Sequence, residues 1–336
     1  MRILVTGGAG YVGSVSVERL LAAGHQVTVV DDLSTGHRGA VAAGARLETI
    51  PYGDVPAMTA LLERDRVEAV LHCGAKSIVP NSVRDPADYF AANVIGGLGL
   101  LDALRAVGVA RLVFSSTAAV YGMPSSDAPL TEVSPAAPIN PYGMTKLTLE
   151  GAIRAYGEAY GLRGIALRYF NVAGASERNG EVHDPETHLI PNVLRAAEGR
   201  MTLTVYGSDY PTRDGTCIRD YIDVRDLADA HLAALEATAP EDERGGPAGR
   251  GGLRVFNLGN GGGYSVLEVL DAAERVTGRS VPRTIGDRRA GDPPVLVASA
   301  ALADEVLGWR PTRPSLEEMI GSAWAWRRRN PDGYPA

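Results

Sequence analysis

The run ILVTGGAGYVGSVSVERLLAAG, residues 3 to 24, sets the tightest limit on how this chain folds. An apolar segment rich in strand formers runs straight into Gly7, Gly10 and Gly13, and an amphipathic helical pattern opens on the third glycine. A glycine triplet alone fits any tight strand-to-helix turn. Here a second strand-like run, QVTVVD, follows and ends in Asp31, 18 residues beyond Gly13. Backbone lacking Cβ atoms lets a pyrophosphate approach closely, and the helix N-terminus faces its charge. A carboxylate ending the second strand accepts hydrogen bonds from ribose hydroxyls and repels a 2′-phosphate. The pattern therefore predicts a dinucleotide site, with NAD favoured over NADP.

The rhythm continues through the first half of the chain. Strand-like runs at 2 to 6, 26 to 31, 68 to 73, 111 to 116 and 164 to 170 alternate with helical patterns near 11 to 23, 86 to 107 and 141 to 160. Such alternation predicts βαβ units and a doubly wound parallel sheet of Rossmann type, and the nearly all-apolar AVLHC and RLVFS read as strands buried on both faces. Beyond residue 171 the pattern loosens into long loops, 175 to 191 and 206 to 221, where binding functions concentrate. We expect residues 1–173 to form the NAD-binding domain and 174–336 mainly a smaller α/β substrate-binding domain, with segments near 215–237 and 254–278 returning to the first. The Gly/Pro-rich, charged TAPEDERGGPAGRGG between those two segments reads as a surface loop without chemistry.

Composition excludes several classes. A formal net charge of −7, with Arg327-Arg328-Arg329 as the one basic block, is the wrong sign for a nucleic-acid binder. Two distant cysteines, Cys73 and Cys217, outline neither a disulfide framework nor a zinc ribbon, and His25, His37, His72, His183 and His231 show no metal-ligand spacing. The N-terminus reads as a strand and not a signal peptide, and no apolar run approaches the roughly 18 residues that span a bilayer. These features lead us to expect a cytoplasmic protein with no bound metal and no membrane partner.

The stretch PINPYGMTKLTLE, residues 138 to 150, places Tyr142 and Lys146 one helical turn apart. Beside a nicotinamide this pair gains meaning, because hydride loss from a carbinol carbon must be matched by removal of the hydroxyl proton. A free phenol, with a pKa of about 10, is too weakly acidic to serve at neutral pH. A nearby ammonium and a cationic nicotinamide ring both favour the phenolate. Thr117, at the carboxyl end of RLVFSST, is positioned to hydrogen-bond the reacting oxygen.

TGGAGYVG, FSSTAAVYG, PYGMTK and LRYFNVAGA together resemble the extended short-chain dehydrogenase/reductase family. DDLSTGHR, YGSDYPTRDGTCIRDYIDVRDLADAH, FNLGNGGGYSVLEV and RRAGDPP are similar to its UDP-glucose 4-epimerase branch, and the likeness runs essentially from end to end. The resemblance implies Tyr142 as base, Lys146 as the group that tunes it and binds the nicotinamide ribose, and Thr117 as the holder of the sugar 4-hydroxyl. It implies NAD contacts from Gly7, Gly10, Tyr11, Val12 and Gly13, then from Asp31, Asp32, Leu33, Ser34, Thr35 and Gly36. Asp54 and Val55 would meet the adenine. Cys73, Gly74, Ala75, Lys76, Ser77, Asn93 and Phe170 would line the rest of the cofactor site. A UDP-hexose substrate would be held by Asn171, His188, Leu189, Tyr206, Arg219, Arg289, Asp292 and Leu296 besides Thr117 and Tyr142. The implied chemistry is hydride transfer from C4 to NAD, a transient 4-keto sugar that turns over while UDP stays anchored, and return of hydride to the other face. The family commonly pairs subunits through helices on one face of its sheet, which implies a homodimer.

The chain departs from the family's habit at Cys73, where an aromatic is common, and at IVPNSV, residues 78 to 83. Three rivals were weighed. A nucleotide-sugar 4,6-dehydratase needs an extra acid and base, but Ala118 and Ala119 stand where related dehydratases carry Asp-Glu, and methyl groups shuttle no protons. A UDP-glucuronate epimerase or decarboxylase would want added positive charge for a sugar carboxylate. A non-catalytic NAD-sensing protein has no need of Tyr142, Lys146 and Thr117 together.

Overall fold

The computed structural model describes residues 1–240, 252–289 and 291–335. The reading of 238 to 252 as a chemistry-free loop falls mostly on 241–251, outside the described residues.

Six strands, β1 (Arg2–Thr6), β2 (Gln26–Val30), β3 (Arg46–Glu48), β4 (Ala69–His72), β5 (Arg111–Thr117) and β6 (Arg163–Tyr169), join Gly252–Leu258 in one sheet. Its spatial order is Gly252–Leu258, β6, β5, β4, β1, β2, β3, and every neighbouring pair is parallel. The strands are apolar on both faces because both are covered. Ile3, Val5, Leu71 and Val113 pack with Val17, Leu20, Leu227 and Leu235 on one side. Leu4, Val70, Leu112 and Phe114 pack with Leu61, Leu104, Leu149 and Ile153 on the other. A period of two sends successive side chains to opposite layers, and burial on both faces favours continuous apolar runs.

The chain leaves β1 towards β2 and β3 and then crosses back to β4, β5 and β6, so the winding reverses between β1 and β4. At such a switch point the carboxyl ends of the strands leave a crevice for a ligand. Register aligns those ends: Thr6 pairs with Val30 and His72, and Thr117 pairs with Tyr169.

The strand Arg46–Glu48 and the helix Val55–Asp65 had no clear sequence signal. The helix has clear punctuation all the same: Asp54 Oδ1 accepts from the Ala57 N–H, proline occupies the first turn, and Arg66 closes it at φ +50°. The pattern over 86 to 107 is one continuous helical run, broken by a π-helical turn at Phe90–Ile95. An 18-residue window within Pro86–Val107 reaches a mean hydropathy of 1.4, so by length and composition alone this run could span a bilayer, contrary to the sequence-based expectation that no segment reaches it. In the fold Leu100, Leu101 and Leu104 lie in the core below the sheet and Asn93 serves the site, which explains the apolar composition.

A third core joins Ile190, Val193, Leu203, Val205, Tyr221, Val269, Leu270, Met319 and Ile320. Around it lie short strand pairs: Asn171–Ala173 with Tyr221–Asp223, Leu203–Tyr206 with Arg283–Gly286, and Ile218–Arg219 with Tyr264–Ser265 and Val295–Leu296. Asn171–Ala173 directly follows β6, which places this layer over the carboxyl end of the sheet. The helix Leu316–Arg329 buries Trp326, whose indole donates to the Arg178 carbonyl. Within its basic block Arg327 pairs with Glu198.

Candidate active site

The first turn explains its glycines one by one. Gly7 sits at φ +68°, and a Cβ there would stand 2.5 Å from the Gly74 backbone nitrogen across the switch point. A Cβ on Gly13 would lie 2.1 Å from the Gly7 carbonyl oxygen. Both positions close the strand against the helix. Gly10, the helix N-cap, is different: its Cβ would meet nothing nearer than 3.4 Å. That open cradle in front of the helix N-terminus fits a pyrophosphate.

Asp31 is buried, and its carboxylate accepts the N–H of Ala9 at 3.0 Å and of Leu33 at 2.9 Å. Burial raises its pKa, and the two backbone donors work against the rise. Leu33 is held at φ +60°, and a Cβ on Gly36 would fall 2.7 Å from the same carboxylate, so the loop 31–36 wraps tightly around Asp31. Asp32 accepts from the Ser34 backbone and hydroxyl, and Asp54 is occupied as a helix cap.

The loop from Cys73 to Ser77 is pinned by Asn93. Its Oδ1 accepts the Lys76 N–H at 2.8 Å, while its Nδ2 donates to the Lys76 carbonyl and to the Thr145 hydroxyl, both at 3.0 Å. Asn93 therefore positions the cofactor loop, and its side-chain amide is already engaged on both atoms. Lys76 is drawn off to Asp88. Ser115 donates to the Cys73 sulfur at 3.2 Å, and burial pushes that thiol up to about 11.

Asn140 caps the helix Pro141–Tyr160 by accepting the Gly143 N–H, which sets Tyr142 in its first turn. The phenol is nearly enclosed, and burial pushes its pKa up to about 12, opposed by the hydroxyl of Thr117. Lys146 does not reach the phenol oxygen: Nζ donates to the Ser115 carbonyl at 2.7 Å and lies 4.7 Å from the Phe114 ring centroid. Burial holds its pKa down at about 8. Desolvation is thus the largest influence on the Tyr142 phenol, and Lys146 stands off from it. Thr117 has two tasks, since its oxygen also accepts the Ala119 N–H at 3.1 Å.

Beneath these groups lies a buried network that sequence reading missed. Glu150, one turn beyond Lys146, forms a two-pronged ion pair with Arg168 at 2.6 and 3.0 Å and accepts from Ser116 at 2.6 Å. Arg168 also donates to the Tyr121 hydroxyl, which in turn donates to Asn257. The available signal was charge inside all-apolar surroundings, in ALRYF and in the helix after Lys146.

At the far end Phe170 packs with Ala118, Val120, Tyr121 and Leu296. Asn171, two residues past the register partner of Thr117, is exposed, and its side chain bonds the Tyr221 hydroxyl. Arg219 donates to the Pro293 carbonyl at 2.8 Å and pairs with Asp292 at 3.2 Å, and its register partner is Leu296. Arg289 stacks on Tyr206 with its guanidinium carbon 3.9 Å from the ring centroid. His188 and Leu189 lie where the helix Leu189–Ala197 begins, but His188 turns to Glu181 and Glu186, at 2.9 Å from each. With His183, these residues gather four metal-capable side chains that sequence spacing did not reveal. Carboxylates on both sides push His183 up to about 9 and His188 to about 10, against the effect of burial.

Comparison with known proteins bears on the same residues. Residues 3–259 match the family model described as NAD dependent epimerase/dehydratase family. The chain is 48% identical to the UDP-glucose 4-epimerase of Corynebacterium glutamicum, with 97% of this chain and 95% of that one aligned. Its structure superposes on that of UDP-glucose 4-epimerase from Brucella ovis in complex with NAD, with TM-score 0.90, 45% identity, and 96% and 97% coverage. It superposes equally well on the enzyme from Bifidobacterium longum in complex with NAD+ and UDP, with TM-score 0.91, 34% identity, and 99% and 100% coverage.

Proposed function

We infer the reaction from one premise: the chain belongs to the NAD dependent epimerase/dehydratase family, and within it to the UDP-glucose 4-epimerases. It is an NAD-dependent enzyme that inverts C4 of UDP-glucose, giving UDP-galactose, and the reverse. The glycine turn and Asp31 would hold NAD, which would supply a reversible acceptor for the C4 hydride.

The observation that carries the assignment of roles is the meeting of the Tyr142 phenol with the Thr117 hydroxyl at the carboxyl end of β5. In our reading Tyr142 removes the 4-hydroxyl proton as hydride leaves C4, producing a 4-keto sugar, and restores that proton when hydride returns to the opposite face. Thr117 holds the same oxygen in line with the phenol. Lys146, tied to the Ser115 carbonyl, would hold the nicotinamide ribose and supply positive charge at the site. Burial of the phenol magnifies the effect of any cation that binds near it. Arg219 and Arg289 are suited to the diphosphate, and Asn171, Tyr206, Asp292 and Leu296 to the remainder of the nucleotide sugar. We also propose that residues 1–173 with Gly252–Leu258 act as the cofactor domain, that the protein is a homodimer, and that it works in the cytoplasm, where unpaired cysteines stay reduced.

Purified protein supplied with NAD and UDP-galactose should yield UDP-glucose with no net reduction of NAD. A 4-keto-6-deoxy sugar as product would reject this reading in favour of a dehydratase.

A further inference from the structure

The long loop between the strand Asn171–Ala173 and the helix Leu189–Ala197 brings Glu181, His183, Glu186 and His188 together. We propose that these four side chains form a tetrahedral site for a divalent transition metal, zinc fitting best, which staples the loop to the start of the helix.

The donor atoms all lie within 4.8 Å of one another. His188 Nδ1 is 2.9 Å from an oxygen of Glu181 and 2.9 Å from one of Glu186, and His183 Nδ1 is 3.3 Å and 3.6 Å from the same two carboxylates. A tetrahedron with metal–ligand bonds of about 2.0–2.1 Å has edges of roughly 3.3–3.4 Å. Both rings approach the same oxygen of Glu181, at 2.9 and 3.3 Å, whereas Glu186 presents one oxygen to His188 at 2.9 Å and its other oxygen to His183 at 3.6 Å, so an ion at the centre requires Glu186 to turn a single oxygen inward with small movements of the two rings.

Direction points the same way. His183 Nδ1 is shut off from solvent and lacks the alignment of a hydrogen bond to either carboxylate, although both are close. A buried ring nitrogen close to two carboxylates but hydrogen-bonded to neither leaves a lone pair open to a metal ion. Charge also balances: two carboxylates and two neutral imidazoles around a divalent cation leave no net charge to bury. Imidazole with carboxylate suits zinc better than magnesium, which prefers an octahedral shell of oxygens and water.

The surroundings hold the ligands in place. One oxygen of Glu186 accepts the backbone N–H of Thr187 and of His188, both at 2.8 Å, and Asn192 donates to the Glu186 carbonyl at 3.2 Å. Such outer contacts fix ligand orientation. Glu181 and Glu186 are buried under the two rings, while the His188 side chain is 43% exposed and gives an ion its way in. Four protein ligands leave no open position, so the role is structural and no chemical step passes through the ion.

The test uses the full-length, tag-free protein stripped with chelator. Titration with Zn2+ should show one equivalent bound with a dissociation constant on the order of a micromolar or tighter, unaffected by millimolar Mg2+. Co2+ bound in its place should give the intense visible absorption of tetrahedral coordination. His183→Ala and Glu181→Gln should each weaken Zn2+ binding on the order of 100-fold. A weak octahedral Co2+ spectrum, or zinc affinity unchanged in both variants, overturns the proposal. The cobalt spectrum needs only the native chain and decides the question even where a variant fails to fold.

Discussion

Lys146 Nζ donates to the carbonyl oxygen of Ser115 at 2.7 Å and stands 6.0 Å from the centroid of the Tyr142 ring. The ammonium is thus anchored to the backbone of β5 and acts on the phenol only through space. Burial pushes the phenol up to about 12 and holds the ammonium down at about 8.

Removing the phenol oxygen removes the base. Tyr142→Phe should lower kcat by on the order of 100- to 10,000-fold while NAD stays bound. Turnover of UDP-galactose and the NAD content of the isolated variant check the two halves. Retained turnover would dismiss Tyr142 as the base.

Thr117→Val deletes the hydroxyl that opposes the rise of the Tyr142 pKa. Because the phenolate is the active form, its pKa rises further and the acidic limb of the kcat profile should move to higher pH. At pH 7 the loss should be on the order of 100-fold. A profile of unchanged midpoint would leave Thr117 with only its bond to the Ala119 N–H.

The Glu150–Arg168 pair is almost wholly buried, with side chains 3% and 7% exposed. Arg168→Met leaves a carboxylate without its partner in the interior and should cost ~3–5 kcal/mol of folding stability. Denaturant unfolding measures this directly. A change below about 1 kcal/mol would show that water or another cation replaces the guanidinium.

His72 and His231 are buried and neutral, each held down at about 3, His72 by burial and then by Lys146, and His231 by burial alone. Unfolding frees both to take up protons below about 6.5, so the unfolded chain binds more protons and stability falls as pH drops through that value. Between pH 7.5 and pH 5 each histidine should remove ~2 kcal/mol. Denaturation midpoints at the two pH values, compared between the native chain and His231→Gln, test this: the variant should lose ~2 kcal/mol less on acidification, while His183 and His188, raised to about 9 and 10, act in the opposite sense in both proteins. An undiminished slope in that variant would point to other groups.

Asp31 lies against the glycine turn, its carboxylate fixed by the backbone N–H groups of Ala9 and Leu33. Asp31→Asn keeps the shape and removes the repulsion of a 2′-phosphate. The preference for NAD over NADP should fall about tenfold, or ~1.4 kcal/mol, read by titrating both cofactors. An unchanged ratio would move the discrimination elsewhere in the loop 31–36.

What the sequence determined on its own was whatever local spacing encodes. The period of two in RILVT and RLVFSST, the glycines between a strand and a helix, and the four-residue step from Tyr142 to Lys146 all express geometry within one segment. The doubly wound sheet and the grouping of Tyr142 with Thr117 followed from those. What only the tertiary structure decided was where each long side chain ends. Lys146 finds the Ser115 carbonyl, Glu150 finds Arg168 across a strand, and His183 and His188 converge with two glutamates through the path of a loop. Side-chain partners at those places come from elements far apart in the chain or from irregular backbone. No periodicity records them, and the interior's demand that every buried charge be answered selects them.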